Sequence, residues 1–390
     1  MPSLSRRATL TLGMMGAMML ATTASAADAI KIGVPANITG IEASFDGPML
    51  NGAKLAVSEI NAAGGVLGRP IDLVTYDTKS DTATISTVTS QMIESDKVKA
   101  FIGFADPDSV LAAAPQIEAA KIPLITPGAT SPKLPLQVGT QVFLACFGDN
   151  VQAAVGAEFA LKKLNAKKGY LITDMGMEYT TLLAEYFTKA YENGGGKLLG
   201  TDTYKTGDKN FTAQVTKIKA LGEKPDFIFI SAGGDEIGLI LKQLRQAGVD
   251  IPVVGGDGYD TPLLLEMGGP AANNTYFTTH SFIGDGASPK VAAFMKAYKD
   301  AYGRAPENTF AALGYDAMKL MADAIKRAGS DDSAKIHEAI KTTAGLEGVT
   351  GTITYKDGNP VPEKSVTVIG VKDGKLYLAS EEAPSFVPAP

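Results

Sequence analysis

Short apolar runs of β-forming residues alternate with longer stretches of helical period along this chain, and the whole alternation starts afresh near its middle. That pattern constrains the fold strongly, because strands separated by helix-length crossovers pair in parallel and need helices over both sheet faces. Ile30, Ile32 and Val34 alternate along a first strand; Leu50, Ala53, Val57 and Ile60 then recur at helical spacing until Gly64-Gly65 stops the helix. Residues 73–76, 101–103 and 122–126 read as further strands, and Asp81 is placed to cap a helix built on Ile85, Val88 and Met92. After Asp149 the series restarts, with strands near 170–173, 227–230 and 252–254 and helices near 179–193 and 236–247. A strand at 276–279 and helices near 291–302 and 311–328 follow. Segments 351–355, 365–369 and 375–378 alternate like antiparallel strands around Asp357-Gly358 and Asp373-Gly374 turns. The expected fold class is α/β, with two doubly wound parallel-sheet lobes.

The N-terminus sets the compartment. Arg6 and Arg7 precede an uncharged run over 8–21 and the small residues Ala24-Ser25-Ala26-Ala27, the layout of a cleavable secretory signal over residues 1–26. Two arginines suit either a twin-arginine signal or the ordinary positive n-region of a general secretory signal, and we adopt the ordinary one. The run is shorter than the roughly 20 apolar residues that span a bilayer, and no comparable run occurs later. Cys146 is the only cysteine, which rules out an intramolecular disulfide, and none follows the signal to take a lipid anchor. The expectation is a freely diffusing periplasmic monomer.

Removing 26 residues from 390 leaves 364, more than one hydrophobic core fills, so two domains are expected. Hydrophobic residues at 45% and charged residues at 20% are ordinary globular values. Loss of Arg6 and Arg7 takes the formal charge from -6 to -8, an acidic balance that disfavours nucleic acid and anionic membrane as partners.

In doubly wound sheets ligands sit beyond the carboxyl ends of the strands. The loops placed there are 39–47, 104–109, 127–130, 173–179, 231–235 and 255–259, rich in Gly, Asp, Ser and Thr. In this order they resemble the periplasmic solute-binding proteins of the leucine/isoleucine/valine-binding family, which feed ABC importers. The resemblance covers nearly the whole chain after the signal. It is carried by Thr39-Gly40 with Asn51-Gly52-Ala53, by the run Ile60-Asn61-Ala62-Ala63-Gly64-Gly65-Val66-Leu67-Gly68-Arg69-Pro70, and by Pro127-Gly128-Ala129-Thr130-Ser131-Pro132. Gly207-Asp208-Lys209-Asn210-Phe211, Gly255-Gly256-Asp257-Gly258 and Ala311-Ala312-Leu313-Gly314-Tyr315-Asp316-Ala317 complete it.

The resemblance implies the type I periplasmic binding fold, with three crossovers joining a first lobe of 28–148 plus 280–350 to a second of 149–279 plus 351–390. It implies a ligand carboxylate held by the loop containing Asp106, Asp108 and Ser109 and by Gly128, Ala129 and Thr130. Asp257 would take an ammonium, Tyr179 would close over the ligand, and Phe45 and Phe310 would line its side-chain pocket. Two departures stand out. Asp106 and Asp108 lie where relatives offer a serine to the carboxylate, and two acids there repel an anion. Gly233-Gly234 falls where relatives carry a tyrosine, so one pocket wall is expected to be missing and the ligand to differ from leucine.

Blander roles compete for these residues. Thr130 could be a helix N-cap, Asp257 a turn residue, Asp108 the cap of a helix starting near Ser109, Tyr179 packing of its own helix, and Phe45 and Phe310 core or hinge packing. His280, near a crossover, reads as hinge or core, and His337 as solvent-facing on a polar helix. Two distant histidines and one cysteine make no usual zinc site, and no cofactor is called for. Phosphate-loop, nucleophile-elbow and His-Glu-x-x-His motifs are missing, and Gly194-Gly195-Gly196-Lys197 reads as a helix stop.

The sequence therefore points to a non-enzymatic binding protein. Its expected partners are a small polar ligand, an amino acid or related zwitterion or amide, and, transiently, an inner-membrane ABC permease. Uptake of aromatic acids, a sensory receptor for a membrane kinase or chemoreceptor, and an exported α/β enzyme relying on Asp106, Asp108 or Asp257 are the competing readings.

Overall fold

The computed structural model describes residues 28–390; the proposed signal segment lies outside the described residues. β1 (Ile30–Ala36), β2 (Ile71–Asp77), β3 (Ala100–Ile102), β4 (Leu124–Thr126) and β5 (Val142–Leu144) form one parallel sheet in the order β2-β1-β3-β4-β5. β1 is buried at six of its seven positions despite its alternating sequence, because helices cover both faces. α1 (Ala43–Ala62), α2 (Thr82–Gln91), α3 (Pro107–Ala120) and the short α4 (Leu134–Val138) lie in the crossovers. The cap expected on α2 is present, since the Asp81 carboxylate accepts from the Thr84 N–H at 2.7 Å.

A second sheet begins with β6 (Lys168–Asp174), β7 (Lys197–Tyr204), β8 (Phe227–Ser231), β9 (Val253–Gly255) and β10 (Thr275–Thr279), joined through α5 (Asp149–Glu158), α6 (Glu178–Asn193), α7 (Thr212–Ala220), α8 (Gly234–Gln246) and α9 (Leu263–Gly268). The chain then returns to the first lobe as α10 (Pro289–Tyr302), α11 (Phe310–Ala328), α12 (Ser333–Lys341) and the hairpin β11 (Leu346–Gly348)–β12 (Gly351–Ile353). It ends in β13 (Val366–Lys372) and β14 (Lys375–Glu382).

The second lobe departs from the parallel pattern of the first. Its order is β14-β13-β10-β9-β8-β6-β7, and β13 runs antiparallel to both β10 and β14. Asp373 (φ 52°) and Gly374 (φ 71°) make the tight turn between β13 and β14, as their sequence suggested. Asp357-Gly358 does not join paired strands: it forms an isolated turn, and β12 pairs with β11 instead. The division anticipated at 350/351 therefore falls inside a hairpin, and Ile353 and Tyr355 pack in the core of the first lobe with Ile32, Ile102 and Met321.

Three crossovers meet beside one another. On the first, 145–148, Phe147 stacks on His280 of the second with ring centroids 4.0 Å apart. Lys364 of the third donates to the Ala145 carbonyl at 2.9 Å. His337 is not solvent-facing; it contacts the Thr140 carbonyl through Nε2 at 2.9 Å and packs against Phe143. No helix among the described residues is long and apolar enough to cross a membrane.

Candidate functional site

The carboxyl ends of both sheets face one cleft, and a small, partly open cavity lies between them. From the first lobe it is lined by Glu42, Phe45, Ala105, Asp106, Gly128, Thr130 and Phe310, and from the second by Met177, Tyr179, Gly233, Asp257 and Gly258.

On the first lobe two loops are locked together. Phe104 takes a left-handed conformation (φ 71°), costly for a bulky residue, and its carbonyl accepts from the Thr126 hydroxyl at 2.9 Å. The Thr126 hydroxyl in turn accepts from the Ala129 N–H at 3.1 Å. The kink points the Ala105 N–H at the buried Asp46 carboxylate, 2.8 Å away, while the Asn37 N–H reaches the other Asp46 oxygen at 2.7 Å. Gly128 is obligatory in this crossing, since a Cβ there would come within 2.8 Å of the Phe310 ring.

Asp106, rather than Asp108, caps α3: its Oδ1 accepts from the Ser109 N–H at 2.9 Å. Its Oδ2 is buried without a hydrogen-bond partner. Burial pushes the Asp106 carboxyl up to about 6, outweighing its hydrogen bonds to Ser109. Asp108 does not line the cavity, and its Oδ2 accepts instead from the Glu178 N–H of the second lobe at 3.2 Å. Ser109 and Ala129 are buried behind the lining, the Ser109 hydroxyl accepting from Asn37 Nδ2 at 3.1 Å. Thr130 lines the cavity from a loop and caps no helix.

On the second lobe, Tyr179 stands in the first turn of α6 and its hydroxyl accepts from the Gly258 N–H at 2.9 Å, bracing the turn that carries Asp257. Asp257 Oδ1 accepts from Gln152 Nε2 at 2.9 Å, and Oδ2 lies 3.0 Å from His280 Nε2. Burial lowers the His280 pKa, so the ring is held neutral in a hydrogen bond rather than charged in an ion pair.

Phe45 and Phe310 pack at 4.9 Å between ring centroids. The wall expected to be missing at Gly233-Gly234 is supplied from across the cleft: a Cβ on Gly234 would lie 3.0 Å from Phe45 Cζ, so the Phe45 ring occupies that place. With the Asp108–Glu178 contact and the Ser131 hydroxyl donating to Glu178 Oε1 at 3.1 Å, the lobes are drawn together.

Eight of the eleven candidate residues thus meet in one cavity. Glu42, Ala105, Met177 and Gly258 line it as well. All four lie in or beside the loops singled out by their place at strand ends, but nothing in their residue types marked them individually.

Two Rossmann-like lobes, three adjacent crossovers and an interlobe cavity define a hinged binding protein. The chain belongs to the periplasmic binding protein family, whose model matches residues 29–375. It is a solute-binding protein of the kind that serves ABC transporters, and not an enzyme. It is similar to a Leu/Ile/Val-binding protein homologue of Brucella melitensis, with 32% identity over 90% of this chain and 94% of the relative. Among solved structures it resembles a leucine-binding protein from Thermotoga maritima, at 35% identity and a TM-score of 0.84 over 91% of this chain and 99% of the other. It also resembles a branched-chain amino acid transporter substrate-binding protein from Streptococcus pneumoniae in complex with isoleucine, at 34% identity and a TM-score of 0.84 over 92% and 100%.

Proposed function

We propose that this protein, exported by its cleavable N-terminal signal and monomeric in the periplasm, captures a small amino acid or a related zwitterion or amide. Closure of the lobes about the crossovers would enclose the solute and present it to an inner-membrane ABC permease. One observation carries the reading: Glu42, Asp106 and Asp257 line the same small cavity as Thr130, and none of the described lining residues is Lys or Arg. Such a cavity favours solutes with ammonium or amide N–H groups and disfavours a lone carboxylate, because an anion would meet like charges in a poorly hydrated space. The amino-acid ligands in the names of the relatives support the same class.

In this reading Asp257 pairs with the ammonium, Thr130 and the backbone around Gly128 and Gly233 supply polar contacts, and Phe45, Tyr179 and Phe310 enclose the carbon skeleton. A ligand shifts the lobes toward closure only by its preferential affinity for the closed form. Titration calorimetry against amino acids, amides and aromatic acids, paired with small-angle scattering, tests the proposal. Amino acids or amides are expected to bind and shrink the radius of gyration, and Asp257→Asn to weaken binding by about tenfold or more. Binding restricted to aromatic acids, or a radius unchanged at saturation, overturns it.

A further inference from the structure

Asp106 stands apart from the other acids of the cleft. Asp257 has a protein partner at each carboxylate oxygen, whereas Asp106 spends Oδ1 on the Ser109 N–H and leaves Oδ2 with none. The residue is 6% exposed and lines the cavity, so the orphaned oxygen is both removed from bulk water and adjacent to the ligand space. A buried acceptor without a donor costs free energy unless something supplies one, and an ionised acceptor costs more than a neutral one. The donors nearest this carboxyl, the Ser109 N–H and hydroxyl and the Asp108 N–H, favour its ionised form, yet none completes a hydrogen bond to Oδ2; the Ala105 N–H is committed to Asp46, and Asn37 Nδ2 to Ser109.

The two carboxylates come from opposite lobes, Asp106 at the start of α3 and Asp257 in the turn after β9. A solute enclosed between them meets a negative acceptor on each side. An α-amino acid satisfies one side with its ammonium and turns its own carboxylate toward the other, where like charges repel. A molecule with nitrogen donors at both ends satisfies both.

We propose that Asp106 Oδ2 is a ligand-binding and specificity-determining acceptor, and that the solute carries an N–H donor, amide or ammonium, at the first-lobe end in place of a carboxylate. The inference rests on the reading of the cleft as the solute site and narrows its ligand to amino-acid amides and short diamines.

Calorimetry at pH 7.5, where Asp106 is ionised, compares L-alanine with L-alaninamide, L-leucine with L-leucinamide, and both pairs with 1,4-diaminobutane. At least one amide or the diamine is expected to bind about tenfold or more tighter than the amino acids, and Asp106→Asn to erase most of that preference. Asp106→Ser, which keeps a residue able to cap α3, repeats the test should the asparagine variant fold poorly. An amino acid that binds as tightly as its amide, or a preference unchanged in folded Asp106→Asn, overturns the inference while leaving the cleft reading intact. No binding by any probe, with no change in scattering radius, sinks both.

Discussion

The carboxylate of Asp108, in the first turn of α3, accepts a hydrogen bond from the backbone N–H of Glu178, in the first turn of α6, and so ties one lobe to the other at 3.2 Å. The Ser131 hydroxyl adds a second tie to the Glu178 side chain. Neither contact needs a solute, so both bias the hinge toward closure. Asp108→Ala is expected to open the ligand-free protein, seen as a larger radius of gyration. It is also expected to weaken ligand binding by up to about tenfold, because apparent affinity scales with the fraction already competent to bind. An unaltered radius together with unaltered affinity would show that the tie is energetically silent.

Much of this architecture is legible in the residues. Ile30, Ile32 and Val34 mark a strand, and Leu50, Ala53, Val57 and Ile60 mark a helix, because each set faces a core and burial writes its period into the chain. Lys197–Tyr204 escapes such reading since it is an edge strand with partial burial, and Val142–Leu144 goes unread although the equally short β3, β4 and β9 are found. The partner of Gly351–Ile353 is equally hidden: alternation reports a strand but not which neighbour it pairs with. At the cleft, loop order and turn chemistry point to Thr130, Tyr179 and Asp257. Which of Asp106 and Asp108 faces the cavity depends on where α3 begins, and that is settled by the left-handed turn at Phe104, an unfavourable conformation that residue type does not announce.

Asp149 makes stability depend on pH. It opens α5, with Oδ1 accepting from Gln152 Nε2 at 2.9 Å, and burial, reinforced by the nearby Asp257 carboxylate, pushes its carboxyl up to about 8 against the hydrogen bonds of Thr130 and Gln152. The folded protein therefore holds a proton that the unfolded chain releases above about pH 4, so stability falls as pH rises from about 4 to 8. The loss is up to about 1.4 kcal/mol per pH unit for each such group. Asp46, pushed up to about 8, and Asp106, to about 6, act with the same sign. Asp149→Asn keeps an oxygen for Gln152 and cannot ionise. Its Tm is expected to exceed that of the unaltered protein at pH 8 and to converge with it near pH 4; parallel Tm curves across that range would contradict the assignment.

The first lobe depends on an unusually close helix crossing. A Cβ on Gly314 of α11 would lie 1.9 Å from the Met49 carbonyl oxygen of α1, and one on Gly52 of α1 would lie 1.8 Å from that of Ala311. Backbone atoms form both walls, so no side-chain rotation can make room. Gly314→Ala is expected to separate the helices and lower stability by about 1–3 kcal/mol or more, read as a drop in Tm and in denaturant midpoint. A Tm within error of the parent would mean that the crossing yields freely.

His280 links the crossovers to the cleft. Its ring is fully buried, stacked on Phe147, and held neutral by that burial, so Nε2–H is the donor that reaches Asp257 Oδ2 at 3.0 Å. Removing that donor frees one oxygen of the acid proposed to meet the ligand ammonium, while Gln152 retains the other. His280→Phe preserves the aromatic volume against Phe147 and abolishes the donor, which separates packing from positioning. Ligand affinity is expected to fall by about tenfold with only a small change in Tm, since a hydrogen bond to a charged group contributes about 1.5–3 kcal/mol and the stacking surface remains. His280→Gln, which restores an N–H on a shorter side chain, should recover part of the affinity. If His280→Phe lowers Tm and leaves affinity as it was, the histidine serves only to pack the crossovers, and Asp257 is positioned by Gln152 alone.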